Sequence, residues 1–233
     1  MKFPATPLLL AVALIGAAAG FLAYRLYPRS VPPAASLPPA SAPAAAAAIP
    51  MPPVNAERPG KIPAEVPDLK LADLAGKLHA LRDGSARPHL YNFWATWCEP
   101  CRREIPLLNA LQRRYRGDQL QVVGIAIDFR AAVKEFLRAT PLDYALRVGE
   151  EDGYEAAQKF GMGMALPFSV FSDAQDRIVA VKVGELHREE ADTILGQMRQ
   201  LQEGKITLQQ ARAGIETALR QYAVARAKQS EPS

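Results

Sequence analysis

Both cysteines of the chain lie in one short stretch, NFWATWCEPCRREIP, residues 92–106, with two residues between them. A disulfide between Cys98 and Cys101 closes a very short loop, and the chain entropy a bridge removes from the unfolded state grows with loop length. Such a bridge is a weak staple, so the pair reads as chosen for reactivity. The preceding run HLYNFW suits a buried strand. Residues Cys98 to Arg116 read as a helix, with Ile105, Leu107, Leu108, Leu111 and Tyr115 at near-helical spacing and Pro106 bending it. The thiols therefore fall where a strand meets a helix N-terminus. There, orphan backbone N–H groups and the macrodipole favour a thiolate at Cys98, the exposed nucleophile. Cys101, one turn on, is expected to be more buried. Attack by Cys98 on a partner disulfide gives a mixed disulfide, which Cys101 resolves.

Around this pair the chain divides into four parts. Residues 1–27 hold an apolar run from Leu8 to Tyr24, preceded by Lys2 and followed by Arg25 and Arg29. Two readings stand: an uncleaved transmembrane anchor, or a signal cut near Ala17 to Gly20. Both export the rest of the chain. Residues 28–62 are dominated by Pro and Ala and read as an extended spacer. Residues 63–203 carry the periodic patterns of a folded domain, and 204–233 a helical extension. The net charge of +4 is small and dispersed, which argues against a nucleic-acid partner.

Within the domain, DLKLADLAGKLHAL gives two short runs around Ala75–Gly76, a hairpin. LQVVGIAID (120–128) is a continuous apolar strand and RAAVKEFLRA (130–139) a helix. EDGYEAAQKFG is a short helix stopped by Gly161. PFSVFSDAQDRIVAVKVGEL gives two strands around a turn at Asp173 to Asp176, and HREEADTILGQMRQLQEG an amphipathic helix. This order predicts an α/β fold, a central mixed sheet with helices on both faces. In 207–227, Leu208, Ala211, Ile215, Leu219 and Tyr222 form one stripe, and Thr207 with Gln210 a capping box, so this helix packs on the domain.

A metal clip is the competing use of two close thiols. No second C-x-x-C exists, and His79, His89 and His187 are isolated. No metal is therefore assigned, although two-coordinate Cu(I) binding remains an alternative.

NFWATWCEPC followed by RREIP resembles the active-site segment of the thioredoxin superfamily, and more narrowly its TlpA/ResA-type branch of membrane-anchored thiol-disulfide oxidoreductases. The similarity runs from about Pro67 to Gln202 and includes VPDLKLADLAGK, QVVGIAID and ALPFSVFSDAQDRIV. It implies a thioredoxin-like fold with no cofactor beyond the redox-active disulfide, anchored in the inner membrane with the domain in the periplasm or extracytoplasmic space. It also implies reduction of disulfide-containing client proteins, as in cytochrome c maturation, with electrons from a transmembrane reductase of the DsbD/CcdA type. A disulfide oxidant or isomerase is the alternative within the class, a Cu(I)-binding metallochaperone the one outside it.

By this resemblance Cys98 and Cys101 are the redox pair and Trp97 the aromatic that shields it. Pro167 is the cis-proline facing the disulfide, where it presents the backbone of Leu166 to an extended substrate. Pro106 is the kink proline. Asn92 stands where thioredoxin keeps a buried Asp, so it cannot serve as that base. Glu104 instead matches the ResA-type acid; at i, i+3 from Cys101 it shares a face with that thiol and is expected to manage its proton. Glu99 and Pro100 match the dipeptide that tunes the pair, and the Glu99 charge disfavours the Cys98 thiolate. Phe168 departs from the small hydroxyl residue that often follows the cis-proline, and is expected to alter the substrate groove.

Overall fold

The computed structural model describes residues 61–115, 120–163 and 165–230. The expected membrane segment, nearly all of the spacer and Met164 lie outside them. Among the described residues no helix is long and apolar enough to cross a membrane.

An antiparallel hairpin opens the domain, β1 (Lys70–Ala72) with β2 (Leu78–Ala80). At its tip the Asp73 carboxylate accepts the backbone N–H of Ala75 and Lys77, and Gly76 takes φ +89°, which glycine tolerates best. The main body follows as β3 (His89–Trp94), α1 (Glu99–Arg114), β4 (Gln121–Ala126), α2 (Arg130–Ala139), β5 (Ala145–Val148), α3 (Glu150–Lys159), β6 (Phe168–Ser172), β7 (Ile178–Val183), α4 (Arg188–Gln202) and α5 (Leu208–Ser230). The strands make one five-stranded sheet in the order β5-β4-β3-β6-β7. Strands β3, β4 and β5 run parallel, while β6 is antiparallel to β3 and to β7. This is the expected mixed thioredoxin-like sheet with one more strand than the sequence pattern shows. Strand β5 is a half-buried edge of four residues, ALRV, too short to display a period.

Strict alternation assigns the two faces of β3. Leu90 and Trp94 pack beneath α1, whereas Tyr91 and Phe93 join the opposite core with Phe160 and Ile125. Helices α1, α2, α4 and α5 contribute buried residues to the first face; α3 and the hairpin cover the second. Phe168 corrects an expectation. It is fully buried on the second face, stacked on Phe93 with ring centroids 4.2 Å apart, so its ring lines no groove. Phe93, Trp94 and Met162 are likewise core residues.

Helix α5 lays its predicted stripe on the domain. Ala211 and Ile215 are buried, with Leu208 and Leu219 packed beside them, and the Thr207–Gln210 capping box forms reciprocally. Arg212 donates to the Ile178 carbonyl, and Tyr222 shares a hydrogen bond with Thr193. Ile215→Ala should therefore cost about 2–4 kcal/mol in denaturant unfolding. Val224→Ala, on the exposed face of the same helix, should stay within about 0.5 kcal/mol.

Candidate active site

Cys98 and Cys101 form a disulfide at the N-terminus of α1. Cys98 is not the first helical residue but the N-cap, in extended conformation, and the backbone N–H of Cys101 points at its Sγ at 3.3 Å. Pro100 occupies the first turn, where its missing N–H costs nothing and its ring presets φ. The segment before the pair is tied to the end of β4. Thr96 donates both its backbone N–H, at 2.9 Å, and its hydroxyl, at 2.6 Å, to Asp128. The other oxygen of Asp128 accepts the Phe129 N–H. Asp128 is buried, although by pattern it is only the last residue of the LQVVGIAID run. Its signal was its place at the carboxyl end of a buried parallel strand, where ligand-facing loops of α/β sheets gather.

The disulfide is more covered than expected. Cys101 is fully buried and Cys98 retains only 6% of its surface. Both belong to an apolar cluster with Trp94, Ala95, Ile105 and Ala126, and Leu166 leans on that cluster. The Leu166–Pro167 peptide bond is cis. Trp97 stands out into solvent at 63% exposure, as does Phe129, so Trp97 offers a surface rather than a lid.

Glu104 is no solvated helix charge. It is 1% exposed, accepting the Asn92 side-chain amide at 2.7 Å and the Leu186 backbone N–H at 2.8 Å. Asn92 reaches it because the register sets Asn92 opposite Gly124 and Ser169, on the face that α1 covers, and its amide also meets the Ser169 hydroxyl at 3.1 Å. Burial pushes the Glu104 carboxyl up to about 7, against the pull of its two hydrogen bonds; Glu185 adds to the rise and Lys182 opposes it. Asn92 cannot take a proton, and it holds the residue that can.

Glu99 sits differently. Its carboxylate is exposed and paired with Arg103 at 3.0 Å, and Arg103 also binds Glu185 at 2.7 Å. Solvent and the guanidinium thus offset the charge expected to act on Cys98. Arg103 lies in the RREIP run but nothing local gives it a role, and Glu185 lies in no motif.

The Redoxin family model matches residues 61–195. The thiol-disulfide oxidoreductase ResA of Bacillus thuringiensis (strain Al Hakam) is 30% identical over 132 residues, covering 56% of this chain and 75% of that protein. The thioredoxin-like protein YneN of Bacillus subtilis is 31% identical over 134 residues, with 55% and 75% covered. Among solved structures, a thiol:disulfide interchange protein of the thioredoxin family from Chlorobium tepidum TLS superposes with a TM-score of 0.52 at 25% identity, covering 58% of this chain and 96% of that one.

The raised carboxyl has a thermodynamic consequence. A carboxyl moved from 4.5 to about 7 favours the folded state fully below the lower value, and that contribution is lost as pH rises through the upper one. Glutamine cannot ionise. Glu104→Gln should therefore gain stability relative to wild type between about pH 5 and about pH 8, by at most on the order of 3 kcal/mol. Thermal unfolding of the oxidised proteins across that range checks it; a difference in Tm independent of pH contradicts it.

Proposed function

The chain belongs to the redoxin family, as a ResA-type thiol-disulfide oxidoreductase of the thioredoxin superfamily, and from that premise we propose that it reduces disulfides of client proteins outside the cytoplasmic membrane. The observation that carries the direction of flow is the buried Glu104 on the Cys101 face of α1. A negative charge in a site that little solvent screens disfavours a nearby thiolate. Pairs whose reduced form is disfavoured give up electrons more readily, the reverse of a DsbA-like oxidant. The helix N-terminus acts the other way. Once ionised, above about pH 7, the buried carboxylate carries a full charge against the partial charge of the helix end, so its effect is the larger there.

Exchange then proceeds in two steps. In the reduced protein the Cys98 thiolate, stabilised by the Cys101 N–H, attacks one sulfur of the client disulfide. The client S–S bond breaks, a Cys98–client bond forms, and the departing client thiolate takes up a proton. Glu104 as carboxylate accepts the proton of Cys101, whose sulfur attacks Sγ of Cys98. The mixed disulfide breaks, the second client sulfur leaves as thiolate, and two electrons have passed to the client. The Cys98–Cys101 disulfide described here is the product. The exposed Trp97 and the backbone of Leu166 beside cis-Pro167 are the surfaces we assign to the client chain. Return to the dithiol requires a dithiol donor, for which a transmembrane reductase of the DsbD/CcdA type is proposed. No cofactor besides the cysteine pair enters these steps. The N-terminal apolar run supports anchoring with the domain outside, and apocytochrome disulfides, returned as thiols, are the client class we propose.

The equilibrium reduction potential, titrated in defined thiol buffers, tests the direction. A value near or below about −250 mV fits a reductant, and one between about −120 and −180 mV would reverse the flow. Cys98→Ser should abolish exchange, whereas Cys101→Ser should accumulate mixed disulfides with clients in membranes of the source cell, detected on non-reducing gels. Absence of any such adduct removes the main support for the client-reducing role.

A further inference from the structure

Three consecutive residues after β7 each hold a different part of the site, and the fourth, His187, caps α4. The Gly184 N–H donates to the Pro167 carbonyl at 2.8 Å. Glu185 receives Nε and Nη2 of Arg103 on one carboxylate oxygen, at 2.9 and 2.7 Å. The Leu186 N–H donates to Glu104 at 2.8 Å, and the His187 N–H to Glu190 at 2.9 Å. Gly184 has φ +82°, in the left-handed region, so the backbone bends there at little cost only to glycine. Arg103 and Glu104 are neighbours on α1, as Glu185 and Leu186 are in the turn. Two bonds therefore join turn and helix side by side. One is an ion pair at the surface, and the other is an amide on a buried carboxylate.

An exposed ion pair adds little to stability. Its consequence here is geometric. We propose that Glu185 is a positioning residue for thiol-disulfide exchange, which through Arg103 keeps the Leu186 N–H on Glu104 and the Gly184 N–H on Pro167. The proton-handling group and the client-facing proline are thereby held in one mutual arrangement. This rests on the reading of Glu104 given above. The charged and titratable groups acting on Glu104 are Glu185 from the turn, Lys182 from β7 and Tyr144 from the segment before β5, and Cys101, three residues before it on α1, shares its helix face.

Opposite signs separate position from charge. Glu185 raises the Glu104 carboxyl by its charge, so losing that charge alone lowers the midpoint. Losing the Leu186 N–H raises it. Glu185→Gln and Glu185→Ala both remove the charge, but only glutamine can still accept from Arg103. In the full-length oxidised chain, the Glu104 carboxyl 13C shift is titrated by NMR alongside Leu186 amide exchange, and disulfide reduction is followed with an insulin substrate. The Ala variant should titrate at least about half a pH unit above the Gln variant. Its Leu186 amide should exchange about tenfold faster. Its turnover should fall several-fold, with the Gln variant staying near wild type. Equal midpoints overturn the proposal, as do unequal midpoints with equal turnover. The Glu104 reading fails separately if Glu104→Gln leaves the pH profile of exchange unchanged, since the two Glu185 variants are then still compared by NMR.

Discussion

A carboxyl group buried to 1% exposure is costly unless every side of it is accounted for, and much of this site follows from that requirement. Glu104 lies on the inner face of α1, one turn past Cys101. Its partners must come from whatever that face covers. The sheet supplies the Asn92 amide, aimed by the alternation of β3, and the turn after β7 supplies the Leu186 N–H. Neither partner is a cation. The group is held firmly while its charge stays poorly compensated, which is the condition for a carboxyl that gains and loses a proton near neutrality.

The thiols sit above this carboxyl for reasons of topology. Strand β3 lies at the centre of the sheet, flanked by a parallel and an antiparallel neighbour. Its carboxyl end delivers the chain to the N-terminus of α1, where N–H groups are unpaired. Asp128, at the end of the adjacent strand, fixes Thr96 and so the approach to Cys98. The antiparallel neighbour β6 begins at Phe168, which puts Leu166 and cis-Pro167 at the same edge. One end of the sheet thus gathers thiols, acid and proline from segments more than sixty residues apart in sequence.

How much of this was legible in the sequence depended on whether a residue's role is local. The strand-helix junction at the cysteines, the hairpins and the α5 stripe could be read because period and turn chemistry are local. Glu104 was legible through its i, i+3 relation to Cys101, but its burial was not, since a single Glu on a helix gives no sign of what covers it. Asn92 looked like a lost acid because its value lies in a contact twelve residues away. Phe168 looked like a groove residue because strand direction alone does not say which face a position takes; its register with Phe93 decides that. Cys98 looked exposed because the cluster closing over it includes Leu166, which is remote in sequence. The pairing of Arg103 with Glu185 is a long-range surface contact and left no trace.

Glu190 gives the contrast that explains Glu104. The two are buried carboxylates accepting consecutive backbone amides, His187 and Leu186. Glu190 also meets the guanidinium of Arg226 and lies 3.7 Å from the Lys182 ammonium, so its charge is compensated and its role is that of an anchor for α4. Arg226 belongs to α5, beyond the part of the chain matched by the family model, and reaches back to Glu189 as well. The added helix therefore does more than cover apolar surface. By neutralising Glu190 it fixes the far end of the same turn whose near end holds Pro167. Were both carboxylates uncompensated, the turn would carry two like charges on adjacent amides and would loosen as pH rose. With Glu190 paired to two cations and Glu104 to none, the turn is anchored at its far end independently of the charge on Glu104.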